Sequence, residues 1–502
     1  MADRSAFTPF DIVREIWTHL DLPPSALSSL ALPGAPEPTR PVVPSSFKIG
    51  HLAQSTIALS ALAAATAHSV HSRSPPDVPR TTVPLRHAVL EFQSERLYVL
   101  AGEPPAETRG PISGLHPTAD GYVRIHDAFP HHRRGTLALL GLPETCTDRA
   151  AVDARTRTWK SVDLETVAVE QKGLAIYALR SFAQWDALPQ ARALADLPVS
   201  IRRVDVPPTE TSSPRRGFDA RGRRCLSGLR VLEFSRVIAA PVSGKTLAAH
   251  GADVLWVTSP RLPDLPGLDR EFARGKRSIQ LDLEVEEDKA KFLELARSAD
   301  VVIQGYRPGS LAARGLDAEE LAKANPGIIV ANLSAFGPQG EWSGRRGFDS
   351  LVQTASGLNV SEAEHRGRGE VARALPCQAL DHGAGFLLAT GVCAAVYHRE
   401  KDRSEGRRVG AYVVDVSLAG VMKYLRSLGQ YEGRSGFEGH DYTVLGPDGV
   451  RSQEEKAFFE TRETGFGEMT FLRHSASIEG FEPGWDLMPA PLGSGEAAWS
   501  GL

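Results

Sequence analysis

The sequence predicts an α/β protein: a large domain with a doubly wound, Rossmann-like parallel sheet, and a smaller α+β domain. Three observations carry this. Between residues 230 and 334, short apolar runs alternate with helical patterns, as in successive βαβ units. From 112 to 204, strands and helices mix without that regularity. A chain of 502 residues is also too long for one ordinary core, so two or three domains are expected.

Residues 1–45 hold one amphipathic helix, "FDIVREIWTHL", and a proline-rich connector, "LPGAPEPTRPVVPSS". A helix covers about 50–70, and "HAVLEFQSERLYVL" reads as strand or helix. The stretch 206–224, "VPPTETSSPRRGFDARGRR", is polar and rich in Pro, Arg and Gly, which marks a linker. Beyond it the order becomes regular. "RVLEFS" is a strand, and "PVSGKTLAAHG" is a helix that opens on proline and closes on glycine. "ADVLWV" and "SIQLDL" are strands, followed by the helix "EEDKAKFLELARSAD" with acids in its first turn. "VVIQGY" and "GIIVANLS" complete the series. Ligands in such sheets bind at the carboxyl ends of the strands, here "SRVIAAP", "TSPRLP", "GYRPGS" and "SAFGPQG".

Composition narrows the function. Hydrophobic content of 42% and charge of 24% are those of a soluble globular chain. A net charge of −4 carries no nucleic-acid or membrane footprint, and neither partner is expected. Four cysteines without metal spacing suit a reducing compartment and imply no metal. The start "MADRSAFTPF" is not a secretory signal, so a cytoplasmic location is expected, an organelle not being excluded.

Two tempting motifs fail. "SGKT" at 243–246 needs a glycine five positions before Gly244, where Ala239 stands, and no G-x-G-x-x-G follows the first strand. The histidine-rich "HDAFPHHRR" lacks further ligands at metal spacing and reads as a solvated loop. Four basic spots lie at or near the strand ends: Arg261; Arg274 with Lys276 and Arg277; Arg307; and Arg345 with Arg346. Several converging on one rim would suit a phosphate-bearing ligand. Asp381 precedes an apolar helical run in "LPCQALDHGAGFLLATGVCAAVYHRE", where an aspartate is ordinarily a helix cap. A carboxylate shielded from water at that place would also suit a nucleophile.

Residues 226–430 resemble the large domain of the family III CoA-transferases, a family that includes α-methylacyl-CoA racemases. The runs that carry it are "LSGLRVLEFSRVIAAP", "LAAHGADVLWV", "RGKRSIQLDL", "ADVVIQGYRPGSLAARGL", "NPGIIVANLSAFGPQG", "RRGFDSLVQTASG" and "VVDVSLAGVM". The resemblance implies that Asp381 is the catalytic nucleophile. It also implies that Val237, Ala239, Arg261, Lys276, Tyr306 and Arg307 line a site for coenzyme A, which is a substrate and not a resident cofactor. The pattern departs at Ser259, where a basic residue is usual, and at Ala313, where the arginine falls one place later at Arg314. The racemase branch carries a histidine before the aspartate of "GFD". Phe348 stands there and cannot carry a proton, so transfer is favoured over racemisation.

"STIALSALAAATAHS" aligns with "GFLLATGVCAAVYHR" at an offset of 330, which pairs His51 with Asp381. "VLEFQSERL" similarly resembles "VVDVSLAGV". The expected organisation is an N-terminal extension (1–45), a partial and degenerate repeat of the family unit that includes a small domain (46–205), the linker (206–224), the large domain with Asp381 (225–432) and a C-terminal return segment (433–502). The N-terminal unit would then supply the small domain and the C-terminal unit the nucleophile, as an intrachain pseudo-dimer or within a homodimer. The expected substrates are an acyl-CoA and a free carboxylic acid. The alternatives are a racemase or epimerase of α-methylacyl-CoA, and an inactive CoA-binding scaffold.

Overall fold

The computed structural model describes residues 2–70, 78–204, 222–442 and 452–500. Most of the linker at 206–224 lies outside these. Seven strands form the central sheet: β1 Val199–Val204, β2 Arg230–Phe234, β3 Asp253–Thr258, β4 Lys276–Gln280, β5 Val301–Gln304, β6 Ile329–Ser334 and β7 Ala411–Ser417. Their order is β4-β3-β2-β5-β6-β7-β1. All neighbours run parallel except β7 and β1, which pair antiparallel with Ala411 opposite Val204. This is the doubly wound sheet expected from the sequence. Its inner strands are buried on both faces and therefore read as unbroken apolar runs.

The order reverses between β2 and β5, where Val231 is paired with Val301. The loops after these two strands therefore diverge to opposite faces and leave a crevice.

Eight helices matter here: α1 Pro9–His19, α2 Ile49–Ser69, α3 Pro130–Leu139, α4 Ala239–Ala249, α5 Glu286–Arg297, α6 Asp349–Ala355, α7 Ala379–Ser404 and α8 Leu418–Ser427. α7 is long and apolar enough to cross a membrane, but its apolar part is wholly buried in the protein. α2 and α4 pack along it. Two of its glycines permit this approach. A Cβ at Gly385 would stand 2.5 Å from the carbonyl oxygen of Ala239, and one at Gly383 3.2 Å from Leu52 Cδ2.

The first 45 residues also join the core. Thr8 and Asp11 form a capping box on α1, and Ile12, Val13, Ile16 and Trp17 are buried. Residues 112–178 build the smaller α+β body. Its antiparallel sheet comprises Gly114–Pro117, Tyr122–Ile125 and Ile176–Ala178, over a core of Ile112, Val123, Leu137 and Ile176.

The two halves of the chain interlace. The hairpin Phe459–Thr464 and Gly467–Leu472 pairs with Val99–Leu100, and Ser477–Ile478 pairs with Thr81–Thr82. One expectation is corrected. "VLEFQSERL" is helical over Leu85–Glu91 and Ser94–Leu97, whereas "VVDVS" is strand β7. The N-terminal stretch packs beside α2 and brings Glu91 and Glu95 within 2.9 Å of ring nitrogens of His474 and His382 in the interior.

Candidate active site

The cleft at the reversal point has a volume of about 500 Å³. It is built from the residues that follow successive strands: 234–240 after β2, 257–262 after β3, 281–284 after β4, 305–311 after β5 and 333–335 after β6. Residues 345–348, Asp381 and Leu418 close one side. Phe129, His131 and His132 of the small body also line it. "HDAFPHHRR" is therefore not a solvated loop. Residues 130–139 form α3, His132 is buried, and His126 stacks on Phe348 at 4.0 Å between centroids.

Asp381 is the third residue of α7, not its cap. The cap is supplied by Asp349, whose Oδ2 accepts hydrogen bonds from the backbone N–H of Leu380 (2.8 Å) and Asp381 (3.0 Å). Gln353 donates to the other oxygen of Asp349. This arrangement relieves Asp381 of capping. Its buried side chain lines the cleft and has no hydrogen-bond partner among the described residues. Burial, reinforced by the charges of Asp349 and Glu95, pushes the Asp381 carboxyl well above the usual carboxylate range. Asp349 is itself pushed up to about 6 by burial, against the pull of its three donors. Glu95 lies on Ser94–Leu97 of the N-terminal unit, with Oε2 2.9 Å from Nε2 of His382.

Opposite Asp381 lies the first turn of α4. Val237 holds φ +72°, a left-handed conformation that a β-branched residue rarely adopts. No side chain caps α4. The backbone N–H groups of Ala239 and Ala240 find no acceptor among the described residues, and both residues line the cleft. The turn is held from behind by Lys276, whose Nζ donates to the Pro241 carbonyl (2.9 Å) and to Glu233 (2.8 Å). Burial brings Lys276 down to about 8, against the opposing pull of Glu233.

Of the residues expected to hold coenzyme A, the cleft gathers Val237, Ala239, Arg261, Tyr306 and Arg307. Lys276 stands outside it, in the buried ion pair with Glu233. Arg261 is exposed and pairs with Asp282 at 2.5 Å, and Arg314 pairs with Glu284. Tyr306 is pushed up to about 12 by burial. Arg307 is exposed and has no ion-pair partner among the described residues. Arg274 and Arg277 lie elsewhere, the first buried against Glu271 and Trp485, the second paired with Asp253. Lys245 of "SGKT" is buried on Glu271 at 2.8 Å and holds no phosphate loop. His51 occupies the third position of α2, as Asp381 does of α7, but it is buried and outside the cleft, and burial lowers it to about 4.

The sequence reading missed Asp349, Glu95, Arg236 and the small-body residues at the cleft. Arg236 is the residue just before strained Val237 and lies over the Phe129 ring at 4.4 Å.

Residues 226–442 match the family described as CoA-transferase family III. The chain is 35% identical over 207 residues to the Mycobacterium tuberculosis protein named probable fatty acyl-CoA transferase Rv3272, covering 38% of this chain and 52% of that one. It is 30% identical over 305 residues to a protein of Gibberella moniliformis named acyl-CoA transferase, covering 58% and 53%. The crystal structure of Rv3272 aligns with a TM-score of 0.36 at 32% identity, over 41% of this chain and 58% of that one. The chain thus spans about half the length of the curated relatives it matches.

Proposed function

We propose that the protein is a CoA-transferase that moves CoA from an acyl-CoA thioester to a free carboxylic acid, with Asp381 as the nucleophile. The observation that carries this reading is a buried carboxylate, relieved of capping by Asp349, in a cleft whose rim carries Arg307, which has no ion-pair partner among the described residues. Once ionised, a desolvated carboxylate is a strong nucleophile. Its attack on the thioester carbonyl gives an acyl-aspartyl anhydride and the CoA thiolate. The thiolate then attacks the Asp381 carbonyl, which releases the first acid and leaves an aspartyl-CoA thioester. The acceptor carboxylate displaces CoA to form a second anhydride. CoA attacks the acceptor's acyl carbon and restores the Asp381 carboxylate.

Each step passes through a tetrahedral oxyanion. The N–H groups of Ala239 and Ala240, at the positive end of α4 and without an acceptor among the described residues, would suit that oxyanion. Arg307 and the aromatic face of Tyr306 suit the phosphates and adenine of CoA. The small body, which precedes the linker, closes the cleft with Phe129, His131 and His132, in keeping with a division of labour between the two halves.

The test is a thermal shift and a turnover assay. CoA should raise Tm, while NADH and ATP should do so far less. Asp381→Asn should retain the CoA shift and lose acyl transfer. Equal shifts with NADH, or full transfer by Asp381→Asn, would overturn the reading.

A further inference from the structure

We infer that Glu95, carried into the interior by the N-terminal half of the chain, is a positioning residue that drives Asp381 into its covalent adducts. The inference rests on the reading of Asp381 as the nucleophile, and it gives the N-terminal half a part in the reaction.

The contrast between two carboxylates carries it. Both come from the N-terminal half and enter the interior of the other half. Glu91 is fully answered. Nδ1 of His474 lies 2.9 Å from its Oε1, and the N–H and hydroxyl of Ser475 donate to its Oε2 at 2.9 and 2.6 Å. Glu91 thus fastens the C-terminal return segment. Glu95 is answered on one side. Its Oε2 has Nε2 of His382 at 2.9 Å. Its Oε1 is buried without a hydrogen-bond partner, and Arg96 Nε stands 3.7 Å away. Burial pushes the Glu95 carboxyl up, but the His382 contact outweighs it and holds the group below its ordinary value. Glu95 is therefore ionised, and because a carboxylate only accepts, Nε2 of His382 is the donor. A buried charge with one oxygen unanswered is costly to the fold.

That charge sits where the nucleophile meets it. His382 follows Asp381 on α7, and its ring stacks on Phe92 at 5.5 Å between centroids and lies against Phe272 at 6.2 Å. Phe92 also stacks on Phe386, one turn further along α7. The ring that holds Glu95 is thus itself held. Asp381 has no ion-pair partner among the described residues. Besides burial, the influences on it are the charges of Asp349 and Glu95, both negative. Asp349 shares its charge among three donors, Glu95 with one. Cys377 beside them stays an uncharged thiol, pushed up by burial and by Glu95. When Asp381 attacks a thioester, its negative charge leaves with the CoA thiolate, and the anhydride left behind is neutral. The aspartyl-CoA thioester is neutral too. Repulsion from Glu95 therefore acts on the carboxylate and vanishes in both adducts, which favours their formation.

The experiment compares Glu95→Gln, which keeps an acceptor for His382 and removes the charge, with Glu91→Gln, both in the full chain. With limiting acyl-CoA and no acceptor acid near pH 8, the fraction of protein carrying a CoA adduct is read by intact mass. It should fall about threefold or more in Glu95→Gln, and the rise of kcat/KM with pH should move to lower pH. Glu91→Gln should lower Tm and leave the adduct fraction and the pH profile as in the wild type. An unchanged adduct fraction and profile in Glu95→Gln would overturn the inference. So would the same changes in Glu91→Gln, which would mark a general loss of packing. If the wild type forms no adduct, the transferase reading fails, and stability decides the coupling of the two carboxylates separately. Asp381→Asn should then raise Tm near pH 8 by less in the Glu95→Gln background than in the wild type, and an equal rise would refute it.

Discussion

Gly385→Ala separates the geometry of the site from the stability of the fold. The added Cβ would stand 2.5 Å from the Ala239 carbonyl oxygen and 2.5 Å from Val242 Cβ, about 0.9 Å short of the 3.4 Å at which ordinary contact begins. The Ala239 carbonyl is backbone and cannot swing aside. The first turn of α4 must therefore move away from α7, taking the Ala239 and Ala240 N–H groups away from Asp381. Overpacking of this kind costs about 1–3 kcal/mol. Replacing a helical glycine by alanine returns about 1 kcal/mol. The net loss of stability is therefore small, about 0–2 kcal/mol. Activity should suffer more, because a displacement of about 1 Å between reacting groups costs about 100-fold. Gly383→Ala is the control: its nearest neighbours would be side-chain atoms of Val421 (3.1 Å) and Leu52 (3.2 Å), which need give by only a few tenths of an ångström. Urea unfolding and the rate of CoA transfer should be measured on both. If Gly385→Ala transferred CoA as fast as Gly383→Ala, the apposition of α4 and α7 would not be what aligns the site.

The pH dependence follows from Asp381. Transfer requires its ionised form, and its affinity for the proton is raised, so kcat/KM should rise with pH through a value above the usual carboxylate range. Asp349→Asn keeps an acceptor for the two N–H groups and removes one negative charge, so that rise should shift to lower pH. An unchanged profile would contradict the electrostatic account. A group whose folded pKa is raised contributes stability at low pH that is lost as pH rises from its unfolded value of 3.8 through the folded one. Asp381→Asn should therefore match the wild-type Tm near pH 4 and exceed it increasingly towards pH 8. An equal Tm across that range would mean that the carboxylate is not penalised by burial. Arg307→Ala should weaken CoA binding by about 1 kcal/mol, because an exposed cation is screened, and the loss should fade in high salt. Calorimetry showing no change would remove Arg307 from the phosphate site.

The legibility of the sequence followed burial. The strands β2 to β6 could be read because parallel strands covered on both faces are continuous apolar runs. β1 falls at the end of the mixed stretch 112–204, and its pairing with β7 spans some 200 residues that no local pattern encodes. The role of Asp349 was hidden for the same reason, since it caps a helix that begins 30 residues later. Asp381 could be placed at a helix start but not freed from capping until its competitor was seen. The setting of the histidines at 126–132 is invisible in the sequence, because clustering says nothing about the Phe348 ring or the Arg346 guanidinium beside them. Lys276 could not be separated from the cleft cations by sequence, because its partner Glu233 sits two strands away across the sheet.

The most direct test is mass spectrometry of the intact protein and its peptides after incubation with an acyl-CoA and no acceptor acid. Hydroxylamine should then cleave the adduct and leave a hydroxamate on one side chain. The account expects a CoA adduct on the wild type, a hydroxamate at Asp381 in the peptide "ALDHGAGF", and neither in Asp381→Asn. Transfer activity with no covalent adduct, or a hydroxamate at another residue, would contradict it.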